Sequence, residues 1–222
     1  MNAEPVLAGR GLHRFYRRGG TEVAALRDVT VEVGPGEVIA VIGASGSGKS
    51  TLLNLLAALD DPDGGSVWIT GERVSHQPAA LQARLRGRFV GVLPQTGGLL
   101  DHLSVLGNVR LAASLRSGAE SGLGPGELVD AVGLTHRSHA RPATLSGGEC
   151  ARASLAVALA GGPAVLLADA PTAEVSRDEE RRLLELVRRV RPAGGATVLV
   201  THSATVADVA DRVVQLRDGK LQ

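Results

Sequence analysis

The 222-residue chain has little of what marks secreted, membrane-spanning or nucleic-acid-binding proteins. Cys150 is the single cysteine, which excludes an internal disulfide framework and is typical of a reducing compartment. The formal net charge is +1, so composition gives no electrostatic reason to expect a nucleic-acid partner. Residues 1–25 contain no apolar core, so we expect no signal peptide. The longest uncharged runs are interrupted by glycine and are too short to span a bilayer, so any role at a membrane should depend on a partner.

Lysine is also scarce. Of the 24 basic residues only Lys49 and Lys220 are lysine, and the other 22 are arginine. Lys49 belongs to the run GASGSGKS at 43–50, which is a complete phosphate-binding loop. A lysine retained in that loop fits a site that needs a compact point charge and not a planar guanidinium.

The phosphate-binding loop stands in the sequence context that it requires. An apolar strand is predicted before it over Val38–Ile42, and a helix is predicted after it over Ser50–Leu59. Glycines let backbone N–H groups turn toward phosphate oxygens, and a helix N-terminus adds partial positive charge. We therefore predict that the loop binds ATP, with Ser50 as a ligand of Mg²⁺. The residues assigned to the nucleotide are Gly43, Ala44, Ser45, Gly46, Ser47, Gly48, Lys49, Ser50 and Thr51.

A second apolar strand ends at Asp169. A carboxylate in that place would lie near Mg²⁺ beside the phosphate-binding loop. The next position, where a carboxylate would polarise the attacking water, is Ala170. The sequence therefore predicts a site that binds ATP and Mg²⁺ but lacks its general base.

A third motif, LSGGE, occupies residues 145–149. Ser146 is predicted to cap a helix, and Glu149 would complete a capping box. The same geometry leaves the Ser146 hydroxyl and the N–H groups of Gly147 and Gly148 at a helix N-terminus, where they could meet a γ-phosphate.

The apolar pattern along the chain predicts an α/β fold with a largely parallel sheet, because short aliphatic runs alternate with helical patterns. Two segments of alternating pattern predict an antiparallel flap near the N-terminus. Residues from about 96 to 158 contain only helical patterns, which predicts an all-helical subdomain inserted into a core of about 1–95 and 159–222 within one domain, 1–222. The predicted strands are Val38–Ile42, Phe89–Leu93, Val165–Ala168 and Thr197–Val200, with Val29–Val33 and Ser66–Thr70 in the flap.

Over essentially the whole chain, these three motifs in this order resemble the ATP-binding-cassette (ABC) ATPases, a family of P-loop NTPases. The resemblance implies that two cassettes pair, as a homodimer or a heterodimer. Each nucleotide would then lie between the phosphate-binding loop of one cassette and the signature Ser146, Gly147, Gly148 and Glu149 of the other. It also implies an integral membrane permease as partner and a peripheral location on the cytoplasmic face of the membrane.

The resemblance assigns three more residues. Tyr16 matches the aromatic residue that stacks on adenine, and Phe15 is the neighbour most easily confused with it. Gln95 matches the glutamine that senses Mg²⁺ and the γ-phosphate, and His202 matches the histidine that contacts the γ-phosphate. The sequences of several segments, among them 52–59 and 167–169, are similar to those of the lipoprotein-release and macrolide-export ATPases.

The chain departs from the family pattern at several positions. Three explanations remain open for the missing base: the degenerate half of a heterodimer, an engineered change that traps ATP, or a nucleotide-gated switch that needs little hydrolysis. A soluble cassette that acts in DNA repair or translation is a further alternative, which the single cassette and the lack of a basic extension disfavour. The departures are Ala170 for glutamate, Ser176 for the aspartate that crosses between subunits, Cys150 and Ala151 for polar amides, and Ser203 for aspartate.

Overall fold

A computed structural model describes residues 4–19, 21–116, 122–169, 177–201 and 209–222. The strands are β1 Leu7–Arg18, β2 Thr21–Val33, β3 Val38–Ile42, β4 Gly64–Ile69, β5 Glu72–Arg73, β6 Val90–Leu93, β7 Val165–Asp169, β8 Ala196–Thr201, β9 Arg212–Arg217 and β10 Lys220–Leu221. The helices are α1 Lys49–Leu56, α2 Ala79–Phe89, α3 Val105–Leu115, α4 Pro125–Ala131, α5 Gly147–Leu159 and α6 Arg177–Val190, with 3₁₀ turns at Thr135–Arg137 and Pro142–Thr144. Among the helices in these ranges, none has both the length and the apolar character needed to cross a bilayer.

A six-stranded sheet carries the loops of the candidate site. Its order is β10-β9-β3-β8-β7-β6, and only the edge strand β10 runs antiparallel to its neighbour. Since parallel strands end at the same edge of a sheet, the segments that follow β3, β6 and β7 leave the sheet on one side. That edge brings together motifs that lie far apart in the sequence.

Side chains of the parallel strands alternate between two hydrophobic cores. In β3, Ile39 and Val41 face the core that α1 and the N-terminal sheet share, whereas Val38 and Ala40 face the core formed with α3, α4, α5 and α6. Burial on both faces explains why these strands read as continuous apolar runs. The predicted parallel strands are confirmed, except that Phe89 ends α2 and does not begin β6.

The N-terminal sheet is larger than the predicted flap. Its order is β2-β1-β4-β5, with antiparallel pairing throughout. The two predicted flap segments lie in β2 and β4, and both pair with β1, a strand that the sequence did not predict. The register of β1 against β2 shifts between Gly9 and Phe15, so β1 lacks a regular alternating pattern.

The described residues between β6 and β7 form helices and 3₁₀ turns without a strand. Their apolar side chains, such as Val109, Leu128 and Leu155, pack in the same core as Ala40 and Leu166 of the parallel sheet. The boundaries of an inserted subdomain at 96 and 158 stay a prediction, because this core joins the helices to the sheet.

One buried amide fixes the loop that follows β6. Asn108 on α3 is 4% exposed, and its Oδ1 accepts a hydrogen bond from the backbone N–H of Leu100 at 2.7 Å. Its Nδ2 donates to the carbonyl oxygens of Leu100 at 3.2 Å and Ser104 at 3.0 Å. Leaving such a buried group unpaired costs about 1–3 kcal/mol, so these bonds hold the loop from Leu100 to Ser104 in one conformation.

Candidate functional site

The loop between β3 and α1 has the backbone that phosphate binding requires. Gly46 has φ +78° and Gly48 has φ +105°, both in the left-handed region, and Gly48 is the N-cap of α1. A Cβ at Gly43 would lie 2.2 Å from the carbonyl oxygen of Leu216, and one at Gly48 would lie 2.4 Å from that of Ala25. Only glycine fits at these two positions, so the loop can fold tightly over the start of the helix.

Lys49 crosses the mouth of this loop. Its side chain is almost buried, at 6% exposure, and its Nζ donates to the carbonyl oxygens of Gly43 at 2.9 Å and Ala44 at 2.8 Å. Burial lowers the pKa of Lys49, and the carboxylate of Asp169 partly opposes that shift. The ammonium group is therefore held at the loop by backbone carbonyls, close to the carboxylate that ends β7.

A cavity of about 830 Å³ lies beside the loop, between the N-terminal sheet and the ends of β7 and β8. It brings together residues from segments that are distant in the sequence, including most of those that the motifs selected. Ala44 and Ser47 line a separate, smaller cavity toward β9, while Gly43 packs against Leu216. The predicted residues that line the large cavity are Tyr16, Ser45, Gly46, Gly48, Lys49, Ser50, Thr51, Gln95 and Asp169.

Strand pairing decides which aromatic residue reaches the cavity. Tyr16 lines it and carries the guanidinium of Arg14 5.1 Å from its ring centroid, and Arg14 is itself paired with Asp60 at 2.7 Å. Phe15 instead stacks on His13, with the ring centroids 6.4 Å apart, and it does not line the cavity. The geometry thus places Tyr16 and not Phe15 beside the phosphate-binding loop.

The three residues assigned to Mg²⁺ all line this cavity and carry side-chain oxygens: the hydroxyl of Ser50, the amide of Gln95 and the carboxylate of Asp169. Hard oxygen donors suit Mg²⁺, which proteins bind through one or two carboxylates together with substrate phosphates. Within the described ranges, no cluster of three or more His, Cys, Asp or Glu residues could hold a metal by itself. The donor set therefore fits a Mg²⁺ ion that is shared with nucleotide phosphates.

The LSGGE motif forms the predicted capping box at the start of α5. The Oγ of Ser146 accepts from the backbone N–H of Glu149 at 3.2 Å, and the Glu149 carboxylate accepts from the N–H of Ser146 at 2.9 Å. That second hydrogen bond, and to a smaller extent Arg137 at 3.2 Å, lowers the pKa of Glu149. Gly148 is buried, and a Cβ there would lie 2.3 Å from Oε1 of Glu179 on α6.

The motif does not line the nucleotide cavity of its own chain. Leu145, Gly147 and Cys150 instead line a second cavity of about 560 Å³, which we call the α5 cavity. Gln95 lines both cavities, so it lies between the phosphate-binding loop and the start of α5. This arrangement connects a nucleotide site to a separate surface through one side chain.

Some of the predicted residues lie outside the described ranges. The structure also places at the site some residues that were not predicted. Ala170, Ser176 and His202 are not among the described residues, although their neighbours Asp169 and Thr201 are. Val23 and Ala25 of β2 line the nucleotide cavity without belonging to any motif. The pairing of Val23 with Tyr16 in the β1–β2 hairpin explains why Val23 lies at the cavity.

A model of the ABC transporter family matches residues 26–173, a range that includes the phosphate-binding loop, Gln95, the LSGGE motif and Asp169. The chain belongs to the ABC transporter family. It is an ATP-binding cassette of that family, which confirms the predicted resemblance.

The chain matches nearly the whole length of one similar protein and about a third of the length of another. The lipoprotein-releasing system ATP-binding protein LolD 2 of Rhodopirellula baltica is 37% identical over 239 residues, which cover 100% of this chain and 91% of that protein. The macrolide export ATP-binding/permease protein MacB 2 of Aeromonas hydrophila is 39% identical over 222 residues, which cover 99% of this chain and 34% of that protein. The chain therefore spans about a third of the length of the macrolide-export relative.

The solved structures confirm the fold. A dimeric ATP-binding cassette in a post-hydrolysis state, bound to ADP and phosphate, matches with a TM-score of 0.86 and 28% identity, covering 97% of this chain and 96% of that one. A second dimeric cassette matches with a TM-score of 0.85 and 26% identity, covering 97% and 96%. The predicted P-loop NTPase fold with its antiparallel sheet and helices is thus confirmed.

Proposed function

We propose that this cassette binds ATP and Mg²⁺ and, by ATP-driven closure onto a second cassette, powers an integral membrane permease. The observation that carries the proposal is the shared cavity, in which Tyr16, the phosphate-binding loop, Gln95 and Asp169 meet from separate segments. Adenine stacks on Tyr16, the phosphates lie against the loop, and Lys49 neutralises phosphate charge. Ser50, Gln95 and Asp169 would hold Mg²⁺, which would screen the charge of the phosphates.

The second half of the site comes from a partner cassette. Ser146, Gly147 and Gly148 lie away from their own chain's nucleotide cavity, which supports their use on a partner's nucleotide. The dimeric cassettes of the same fold support this arrangement. A hydroxyl and the N–H groups at the start of α5 are suited to bind the γ-phosphate of that nucleotide. The partner is a second copy of this chain or a related chain.

We infer that hydrolysis at the chain's own site is weak, because Ala170 stands where the general base is expected. His202, the residue assigned to the γ-phosphate, does not replace a base that polarises water. Among the three explanations, the degenerate half of a heterodimer accounts best for the sequence, since Ser176 departs from the pattern as well. An engineered Ala170 would not explain why Ser176 replaces the aspartate expected there. A nucleotide-gated switch that needs little hydrolysis is the remaining alternative.

The α5 cavity is where we place the contact with the permease. Leu99 lines this cavity, Leu100 beside it is 45% exposed, and both precede the helix whose Asn108 fixes the loop. An apolar concavity of about 560 Å³ fits a short helix of the permease that reaches the cytoplasmic face. Because Gln95 lines both cavities, a change at the nucleotide can alter the shape of the docking surface.

The direct test of the proposal is the binding of MgATP to the purified chain. A ligand that binds only the folded state stabilises it by about 2.7 kcal/mol at a concentration of 100 Kd. We therefore expect a concentration-dependent rise in Tm with MgATP, measured by differential scanning fluorimetry, and saturable binding in calorimetry. MgATP that neither binds nor raises Tm would contradict the proposal.

The docking surface can be tested without mutagenesis, because Cys150 is the only thiol and lines the α5 cavity. Burial, and to a smaller extent Glu149 and Asp101, raises the pKa of Cys150. Less thiolate is present at neutral pH, so we expect maleimide to react more slowly than with glutathione and faster as pH rises. A docked permease should slow the reaction further, as mass spectrometry would measure. Equal labelling of the free chain and the complex would contradict docking at this cavity.

A further inference from the structure

A groove lined by arginine lies between β5 and α2, away from both cavities described above. It encloses about 520 Å³ and is called here the α2 groove. Its lining includes three arginines, one carboxylate and two leucines: Arg73, Arg84, Arg88, Glu72, Leu81 and Leu85. None of these residues has a role in the proposed nucleotide or permease sites.

The α2 groove concentrates positive charge in a chain whose net charge is only +1. Arg88 pairs with Glu72 at 3.2 Å and its guanidinium lies 4.7 Å from the ring centroid of Phe89. Arg73 and Arg84 are exposed, and in the part of the chain that the structure describes no carboxylate pairs with either guanidinium. Two uncompensated guanidinium groups at one concave surface favour a partner that carries carboxylates.

The floor of the groove is apolar and firmly held. Leu85 is 5% exposed within the core beneath α2, and the half-buried Leu81 packs against the same core. The 11 residues of α2, Ala79–Phe89, contain no acidic side chain. A partner must therefore present apolar side chains to the floor and negative charge to the rim. A concave surface of this kind receives side chains, whereas a flat bilayer surface cannot follow it.

The groove is also separate from the proposed permease contact. Phe89 and Val90 connect α2 to the start of β6, whereas Leu93 at the other end of β6 lines the α5 cavity. The four residues of β6 span roughly 13 Å at the rise of an extended strand. A segment bound in the α2 groove would thus leave the α5 cavity open.

We propose that the α2 groove is a docking site for an acidic, amphipathic segment of a protein partner. Carboxylates of that segment pair with Arg73 and Arg84, and its apolar side chains cover Leu81 and Leu85. The charged rim sets specificity and the rate of association, so binding should weaken as salt rises. The site is independent of the proposed nucleotide chemistry, because it contains none of the nucleotide-binding residues.

The test uses the full chain and a fluorescent synthetic amphipathic helix built from leucine and glutamate, with a second peptide in which glutamine replaces every glutamate. Fluorescence anisotropy should give saturable binding of the acidic peptide and little binding of the glutamine peptide. The double variant Arg73→Glu/Arg84→Glu should weaken binding by at least about tenfold, since two attractive charges become repulsive. Arg181→Glu/Arg182→Glu, at two exposed positions of α6, reverses the same number of charges and is the matched control, which should bind like the native chain.

Two controls keep the outcome interpretable. Circular dichroism and the Tm rise with MgATP should be the same for the native chain and all variants, which separates loss of docking from loss of folding. Equal loss in Arg181→Glu/Arg182→Glu and in Arg73→Glu/Arg84→Glu would overturn the proposal, because binding would then reflect general charge. Binding to phosphatidylglycerol vesicles without binding to the acidic peptide would overturn it as well, since the occupant would be a lipid surface.

Discussion

Ala170→Glu is expected to raise ATP turnover at this cassette's own site by about 10²–10⁴-fold, the usual contribution of a positioned general base. The new carboxylate would follow Asp169 directly and could take a proton from the attacking water. ATP binding should change little, because the phosphate-binding loop and the Mg²⁺ ligands stay the same. Phosphate release by the purified chain alone, native and with the substitution, measures the effect at this site, because a partner cassette that hydrolyses ATP would hide it in the complex.

Ala170→Gln is the matched control for this experiment. Glutamine fills the same volume as glutamate but cannot accept the proton, so its turnover should stay near that of the native chain. If the native complex with its permease already turns over and Ala170→Glu changes little there, the hydrolysing site belongs to a partner cassette and this chain is the degenerate half. If turnover is negligible both before and after the substitution, Ala170 is not the sole block, and Ser176→Asp becomes the next change to add.

The parallel core could be predicted from the sequence because its strands are buried on both faces. The predicted strand Val38–Ile42 has the same bounds in the structure, because a continuous apolar run ends at the phosphate-binding loop. The start of α5 was equally predictable, because the capping box of Ser146 and Glu149 marks a helix N-terminus by local hydrogen bonds alone. Features that depend on local hydrogen bonds, or on burial of both faces of a strand, can therefore be predicted from the sequence.

Several elements were not predicted from the sequence, among them β1 and α2. β1 carries arginine and glycine with an irregular register, and its pairing with both β2 and β4 stabilises it. α2 begins after Pro78 without a side-chain cap. Leu81, Leu85 and Phe89 do recur at the spacing of one helix face, so this helix could have been predicted from the sequence. The unbroken apolar run Phe89–Leu93 predicts a strand that begins at Phe89, but the structure ends α2 at Phe89 and begins β6 at Val90.

The candidate site also combines residues that local sequence identifies with residues that only distant contacts bring to the cavity. Its motifs identified the phosphate-binding loop and Asp169, which are set by local sequence. The family resemblance selected Tyr16 over Phe15, whereas Val23 could be placed at the cavity only through its strand pairing with Tyr16. The position of Gln95 between two cavities depends on how the helices pack on the sheet, which no local pattern contains.

Lys49→Ala is expected to weaken MgATP binding by about 10–150-fold, since a hydrogen bond to a charged group contributes about 1.5–3 kcal/mol and the loop would lose its ammonium. Lys49→Arg should also weaken binding, by at least about tenfold, because a planar guanidinium is larger than an ammonium that is nearly buried against two carbonyls. Lys220→Ala removes the only other lysine, on the exposed strand β10, and should bind MgATP like the native chain.

The pH dependence of MgATP binding tests the role of the Lys49 ammonium without a substitution. The charged form of Lys49 attracts the phosphates, and burial lowers its pKa from the ordinary value, so affinity should decline as the pH rises through that pKa. Lys220→Ala should reproduce this alkaline decline, whereas Lys49→Ala should lack it. Calorimetric titration across the alkaline range measures both. Native affinity in Lys49→Ala would mean that the loop binds phosphate through its backbone alone, and the role assigned to Lys49 would be wrong.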